Sequence, residues 1–226
     1  MVTMPLSEAE HQAVSAAVAR AEQASDGEIV TIVAPRSDAY HDVGLHYAVL
    51  AMLLVPCALA VLPQAWIDWG LGLVFGWNAA PGRAALMVLL FVLMTVKFLA
   101  VRFLLAWMPL RMALTPAITK TRRVRRRAIE LFRASAEQRT AGRTGILLYL
   151  SQLEHRAEIV ADQAIHSRVD ADAWGEAMTE LIEQVKAGQT GAGMALAVEK
   201  IGAVLAEHLP ASHENPNEIP DRLIEL

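Results

Sequence analysis

Two long apolar runs constrain this chain more than any other feature. The first reads Leu45-His-Tyr-Ala-Val-Leu-Ala-Met-Leu-Leu-Val-Pro-Cys-Ala-Leu-Ala-Val-Leu62 and carries no formal charge. At about 18 residues it meets the lower length for crossing a hydrocarbon core of about 30 Å. The second follows Pro81-Gly82-Arg83 and runs from Ala84 to Val101, with Lys97 as its interior charge. Lys97 and Arg102 lie near the end of that run, where long basic side chains reach back to the interface. Pro56 would kink a soluble helix, but neighbouring groups can re-satisfy the freed carbonyl of a membrane helix. The two runs predict a transmembrane hairpin.

Composition agrees. The chain of 226 residues is 54% hydrophobic with a mean hydropathy of +0.34, against about 45–50% apolar residues in soluble domains. The excess is concentrated between Gly44 and Leu110, and the flanking segments read as soluble protein. With about 150 residues outside the hairpin, the chain can bury one core but not two. The predicted organisation is a first part of a soluble α/β domain at 1–42, a hairpin at 43–110, the second part of the domain at 111–210, and a disordered tail at 211–226.

Charge and aromatic placement give the hairpin an orientation. Trp66, Trp69 and Trp77 fall in the connecting segment and Trp107 beyond the opposite end, where amphipathic rings collect at interfaces. Arg111, Lys120, Arg122, Arg123, Arg125, Arg126 and Arg127 follow the second run, whereas the connecting segment offers Arg83. The positive-inside rule then places both termini in the cytoplasm of a cell whose inner membrane holds two spans. The bases from Arg122 to Arg127 lack interleaved aromatics and follow a span closely, so an anionic bilayer surface is their expected partner rather than nucleic acid. The net charge of -4 adds nothing to this. The early acids Glu8, Glu10, Glu22, Asp26 and Glu28 exclude a cleavable signal peptide. Cys57 is the single cysteine, so neither a disulfide framework nor a cysteine-based zinc site can form within one chain.

The flanking segments carry ordinary fold signals. Ser7 to Glu10 has capping-box spacing, and Val14, Ala17, Val18 and Ala21 give one apolar face. Ser25-Asp26-Gly27 should end that helix, with Gly27 in a left-handed turn. Glu28-Ile-Val-Thr-Ile-Val33 reads as a β-branched strand. After the hairpin, Ile118 to Arg139 predicts a basic helix, and Gly145 to Ser151 and Ala157 to Ala161 predict neighbouring strands. Trp174, Met178, Leu181, Ile182 and Val185 predict a helix from Asp170 that ends at Gly188, and a last helix spans Gly191 to Leu209. The expected fold class is α/β, a small sheet packed with helices and interrupted by the hairpin. The first strand, Ile29 to Val33, should join the sheet formed by Ile146 to Leu150.

Four strings in these segments, Leu6-Ser-Glu-Ala-Glu10, Ser25-Asp-Gly-Glu-Ile-Val30, Thr144-Gly-Ile-Leu-Leu-Tyr-Leu-Ser151 and Arg156-Ala-Glu-Ile-Val-Ala-Asp162, resemble the TPM domain family. The resemblance covers Leu6 to Ala34 and Thr119 to Pro210. It implies a TPM-like α/β sandwich, with bacterial relatives that also carry a hairpin inside the domain. It further implies a divalent cation such as calcium in some relatives, acid phosphatase activity in some, and membrane-protein assembly or repair in others. Relatives often place glycines after the strand that corresponds to Ala157 to Ala161. Here that stretch is Asp162-Gln-Ala-Ile-His-Ser-Arg168, which argues against a phosphate or metal site built on close backbone approach.

Asp162, His166, Asp170 and Asp172 cluster between a strand and a helix, where α/β folds hold ligands, and Glu28 can face the same pocket. Oxygen and imidazole donors at this spacing can hold a cation. In the alternative, Asp170 caps the following helix, Asp162 ends its strand and His166 lies in an exposed loop. Gly188-x-x-Gly191-x-Gly193 lacks the Lys-Ser/Thr of a phosphate loop and follows a helix, so it reads as capping and packing. No His-Glu-x-x-His helix and no Gly-x-Ser-x-Gly elbow occurs. Three function classes follow: a noncatalytic membrane-tethered module that binds a partner protein, a cation-dependent phosphatase, and a transporter subunit that would have to oligomerise. A homo-oligomer is compatible with each.

Overall fold

The structure is a computed structural model that describes residues 5–78, 80–135, 144–212 and 219–226. It divides into one unit of Met1–Ala39 with Ala117–Leu226 and a second of Tyr40–Pro116. The first unit is a mixed α/β sandwich.

Helix α1 (Glu8–Ala24) begins at the predicted capping box. The Ser7 N–H donates to Glu10 Oε2 at 2.8 Å and the Glu10 N–H donates to Ser7 Oγ at 3.3 Å. Its end differs from expectation. Ser25 is extended, with φ -146° and ψ 159°, and Gly27 does not adopt a positive φ. Leu205 packs close to it: a Cβ on Gly27 would stand 2.8 Å from Leu205 Cδ1, which would have to shift. The strands β1 (Glu28–Ala34), β2 (Gly145–Ser151), β3 (Arg156–Ala161) and β4 (Ile224–Glu225) form one sheet in the order β3-β2-β1-β4. β1 runs parallel to β2 from Glu28↔Gly145 to Ala34↔Ser151, which joins the two flanking parts of the domain as the sequence predicts. β2 and β3 are antiparallel, closed by the 152–155 turn.

Both β1 and β2 are fully buried, because helices cover each face. On one face Ile29, Val33, Ile146, Leu148 and Leu150 pack with α1, α8 (Gly175–Lys186) and α9 (Thr190–His208). On the other, Val30, Ile32, Leu147 and Tyr149 pack with Val124, Ala128 and Phe132 of α6 (Ala117–Ser135). The helix expected from Asp170 starts as a 3-10 turn at Ala171–Trp174 before α8, and Gly188 then takes a φ of +81°. The predicted end of α6 beyond Ser135 lies outside the described residues.

The tail corrects an expectation. Predicted to be disordered, its described end instead supplies β4, parallel to β1 through Ile32↔Ile224 and Val33↔Glu225. Ile219 and Leu223 are buried in the two cores. Apolar side chains at these positions outweigh the breaking effect of Pro220, which sits before the strand begins. Residues 213–218 of that tail lie outside the described residues.

The second unit contains α2 (His41–Val61), α3 (Gln64–Phe75), α4 (Arg83–Leu104) and α5 (Met108–Leu114). α2 and α4 are long and apolar enough to cross a membrane, with mean hydropathy 2.0 and 2.6. Pro56 lies inside α2 without breaking it. The connecting segment is largely a helix, and Trp66, Trp69 and Trp77 are all exposed, with an edge of the Trp77 ring beside Gly72. Arg111, one of the bases that follow the second apolar run, is buried at 3% exposure. Its Nε donates to Leu105 O at 2.7 Å and Nη2 to Ala106 O at 3.3 Å, so the guanidinium caps carbonyls left open past the end of α4.

Candidate functional site

The five predicted metal ligands do not converge. Glu28 opens β1 and Asp162 follows β3, and both lie in the row of Gly145, to which Glu28 is paired across β1–β2. The Asp162 N–H donates to Gly145 O at 2.9 Å, and Asp162 Oδ2 accepts the Gly145 N–H at 3.3 Å. Asp162 therefore ends β3, as the structural alternative holds, and is bound to Gly145 at the start of the neighbouring β2. Two strand spacings, about 10 Å, separate the Glu28 and Asp162 backbones. His166, at the end of α7 (Gln163–His166), is exposed, as are Asp170 and Asp172. Asp170 precedes the 3-10 turn, yet its side chain makes no capping hydrogen bond. Among the described residues no three His, Cys, Asp or Glu groups are placed to hold a metal ion.

The basic helix α6 divides its residues by face. Arg123 donates to Asp38 Oδ2 at 2.8 Å and is largely buried. Arg126 reaches the same carboxylate at 3.5 Å, and Arg127 lies 3.6 Å from Glu130. Arg122 and Arg125 face outward with Arg126. The exposed arginines leave a basic surface, while Val124, Ala128 and Phe132 on the opposite face enter the core.

A group of acids that the sequence did not bring together sits beside the C-terminal segment. Glu22 on α1, Glu28 on β1 and Asp221 line a cavity of about 270 Å³ with Ser212. Glu22 Oε1 accepts the Ile29 N–H at 2.7 Å, and Glu28 Oε2 accepts the Ile219 N–H at 3.1 Å. Burial, followed by the negative charges of Glu28 and Asp221, pushes the Glu22 carboxyl up to about 9 against the opposing Ile29 hydrogen bond. As an ionised acceptor, the buried Glu22 Oε2 would have no partner. Carrying a proton at neutral pH, Glu22 instead hydrogen-bonds to Asp221, an arrangement open only to the neutral acid. The Ser212 N–H and hydroxyl both donate to Asp26 Oδ1, at 2.7 and 3.1 Å, so the hydroxyl is committed away from Glu22. The cluster fastens the C-terminal segment to α1 and β1 and does not resemble a nucleophile with its base. Sequence reading missed it because Asp221 falls in a stretch with no periodic pattern.

Comparison with known proteins matches most of the second part of the α/β unit together with the end of the helical unit. A model of the TPM domain matches residues 108–204. That span covers α5 through most of α9 and does not reach Leu6 to Ala34. No curated protein matches the chain. Among solved structures, the NMR structure of BA42 protein from the psychrophilic bacteria Bizionia argentinensis sp. nov. is similar at 15% sequence identity. The likeness covers 100% of this chain and 99% of that one with a TM-score of 0.56, and it shows the fold alone.

Proposed function

We propose that the chain is a membrane-tethered TPM-domain protein whose α/β unit binds a partner protein without catalysis, in the assembly or maintenance of membrane proteins. The observation that carries the tether is α4, a 22-residue helix of mean hydropathy 2.6 with none of its apolar window buried. Met87, Val88, Phe91, Val96 and Phe103 are more than half exposed. A soluble protein does not leave a surface of that size and polarity to water, whereas a bilayer covers it. α2 is the second span, with 17% of its window buried. Two spans return the chain to the side it left, and the exposed bases of α6 favour the cytoplasmic side for both ends.

The noncatalytic reading is supported by the separation of the acidic candidates and by the role of Asp162 in holding Gly145. Its test has two arms. The chain should remain with membranes through alkaline carbonate washing, and reporters at either end should register in the cytoplasm. Purified protein should show no calcium-dependent hydrolysis across a panel of phosphate esters. Recovery in the soluble fraction would remove the tether, and metal-dependent turnover would restore the phosphatase.

A further inference from the structure

The outer edge of β3 is an open hydrogen-bonding ladder. Because Asp162 donates to Gly145 in the continued β2–β3 register, the even-numbered residues of β3 face β2. The N–H and C=O groups of Ala157, Ile159 and Ala161 therefore point away from the sheet. They make no hydrogen bond with any described residue, and their side chains are partly buried. At the opposite edge, β4 is two residues long, a short edge of the kind that resists pairing. Beside the first half of β3 lies an open groove of about 590 Å³, lined by Arg156, Ala157 and Glu158 with Met178, Ile182 and Lys186 of α8.

We propose that the occupant of this edge is the β3 strand of a second copy, paired antiparallel about a twofold axis at Ile159. Outward-facing residues must meet outward-facing residues, which limits the registers. Centred on Ile159, Ala157 meets the second copy's Ala161, Ile159 meets its own equivalent, and every open donor and acceptor of the three residues is satisfied. On the neighbouring face Glu158 then lies opposite Val160 instead of another acid, and Arg156 lies opposite Asp162, whose negative charge stays buried on its own Gly145 N–H. Shifting by one step in either direction sets Glu158 against its own equivalent or against Asp162, which is repulsive. Larger shifts leave a single outward-facing pair within the strands. The charges that would otherwise protect an edge strand thus admit one register and oppose its neighbours. The small Ala157 and Ala161 side chains allow close approach.

The test is crosslinking by register in the full chain. With Cys57→Ser as background, Ile159→Cys should yield a disulfide-linked dimer under mild oxidation. Paired Cα atoms about 5.5 Å apart fall inside the disulfide range. Val160→Cys, which faces Glu158, and Ala203→Cys, exposed on α9, should stay monomeric. Ala157→Pro deletes an outward N–H and leaves the β2–β3 bonds intact, so it should abolish the Ile159→Cys dimer and halve the mass of the purified chain in light scattering. Circular dichroism separates that result from unfolding. A monomeric chain, or Ile159→Cys crosslinking no better than the two controls, overturns the proposal, as does a dimer that Ala157→Pro leaves intact.

Discussion

At the scale of single residues, the most informative group is Glu22, whose proton belongs to the folded state. Its carboxyl is raised from 4.5 to about 9, so between those values the native chain holds a proton that the unfolded chain releases. The sign follows from linkage: the contribution is complete below about 4.5 and is lost as pH rises through about 9. Thermal unfolding of the purified chain should show a midpoint that falls from pH 6 to pH 10. Glu22→Gln is neutral at every pH and keeps a donor for Asp221, so it should flatten that slope, and a slope unchanged by the substitution would separate the effect from Glu22. A second residue tests close packing. A Cβ on Gly202 would lie 2.5 Å from Ala21 Cβ and 3.1 Å from Ala21 Cα, and backbone cannot yield as a flexible side chain does. Gly202→Ala gains up to about 1 kcal/mol of helix propensity, yet overpacking costs about 1–3 kcal/mol. The net expectation is a lower unfolding midpoint, measured by denaturant titration.

At the scale of elements, legibility depended on whether the deciding partner lay nearby in sequence. The capping box of α1 and the apolar face of α8 are local patterns, and both appear where spacing places them. Gly27 shows the limit: its position after a helix read as a left-handed cap, whereas its φ is not positive and the group that approaches it closely is Leu205, distant in sequence. The candidate site failed for the same reason. Asp162, His166, Asp170 and Asp172 are close in sequence, but α7 and the 3-10 turn carry the last three to the surface while Asp162 is retained by Gly145. The Glu22–Asp221 pair, conversely, joins segments with no shared pattern. β4 was hidden because a two-residue edge strand gives no alternation to read. Its anchor is testable. Leu223 is 5% exposed within the core between the sheet and α1, α8 and α9, so Leu223→Ala should cost about 2–5 kcal/mol in denaturant unfolding. A disordered tail would give no measurable change.

At the scale of the molecule, the question is whether the α/β unit depends on the inserted hairpin to fold. Its own contacts argue that it does not. β1 and β2 pair along their whole length, and α1 and α9 pack closely enough that Gly191 and Gly202 leave no room for a Cβ. Both cores draw their described residues from the same unit. The chain ends that the hairpin joins are also held near each other within this unit, because Asp38 lies 2.8 Å from Arg123, six positions after the start of α6 at Ala117. Six helical residues span about 9 Å, and a flexible linker of about ten residues covers that distance with slack. Joining Met1–Ala39 to Ala117–Leu226 through such a Gly/Ser linker should therefore give a water-soluble protein with mixed α/β circular dichroism. It should unfold in one cooperative transition and retain the pH slope assigned to Glu22. An insoluble or noncooperative product would mean that the inserted helices take part in folding: they would have to restrict the chain ends before β1 and β2, distant in sequence, can meet.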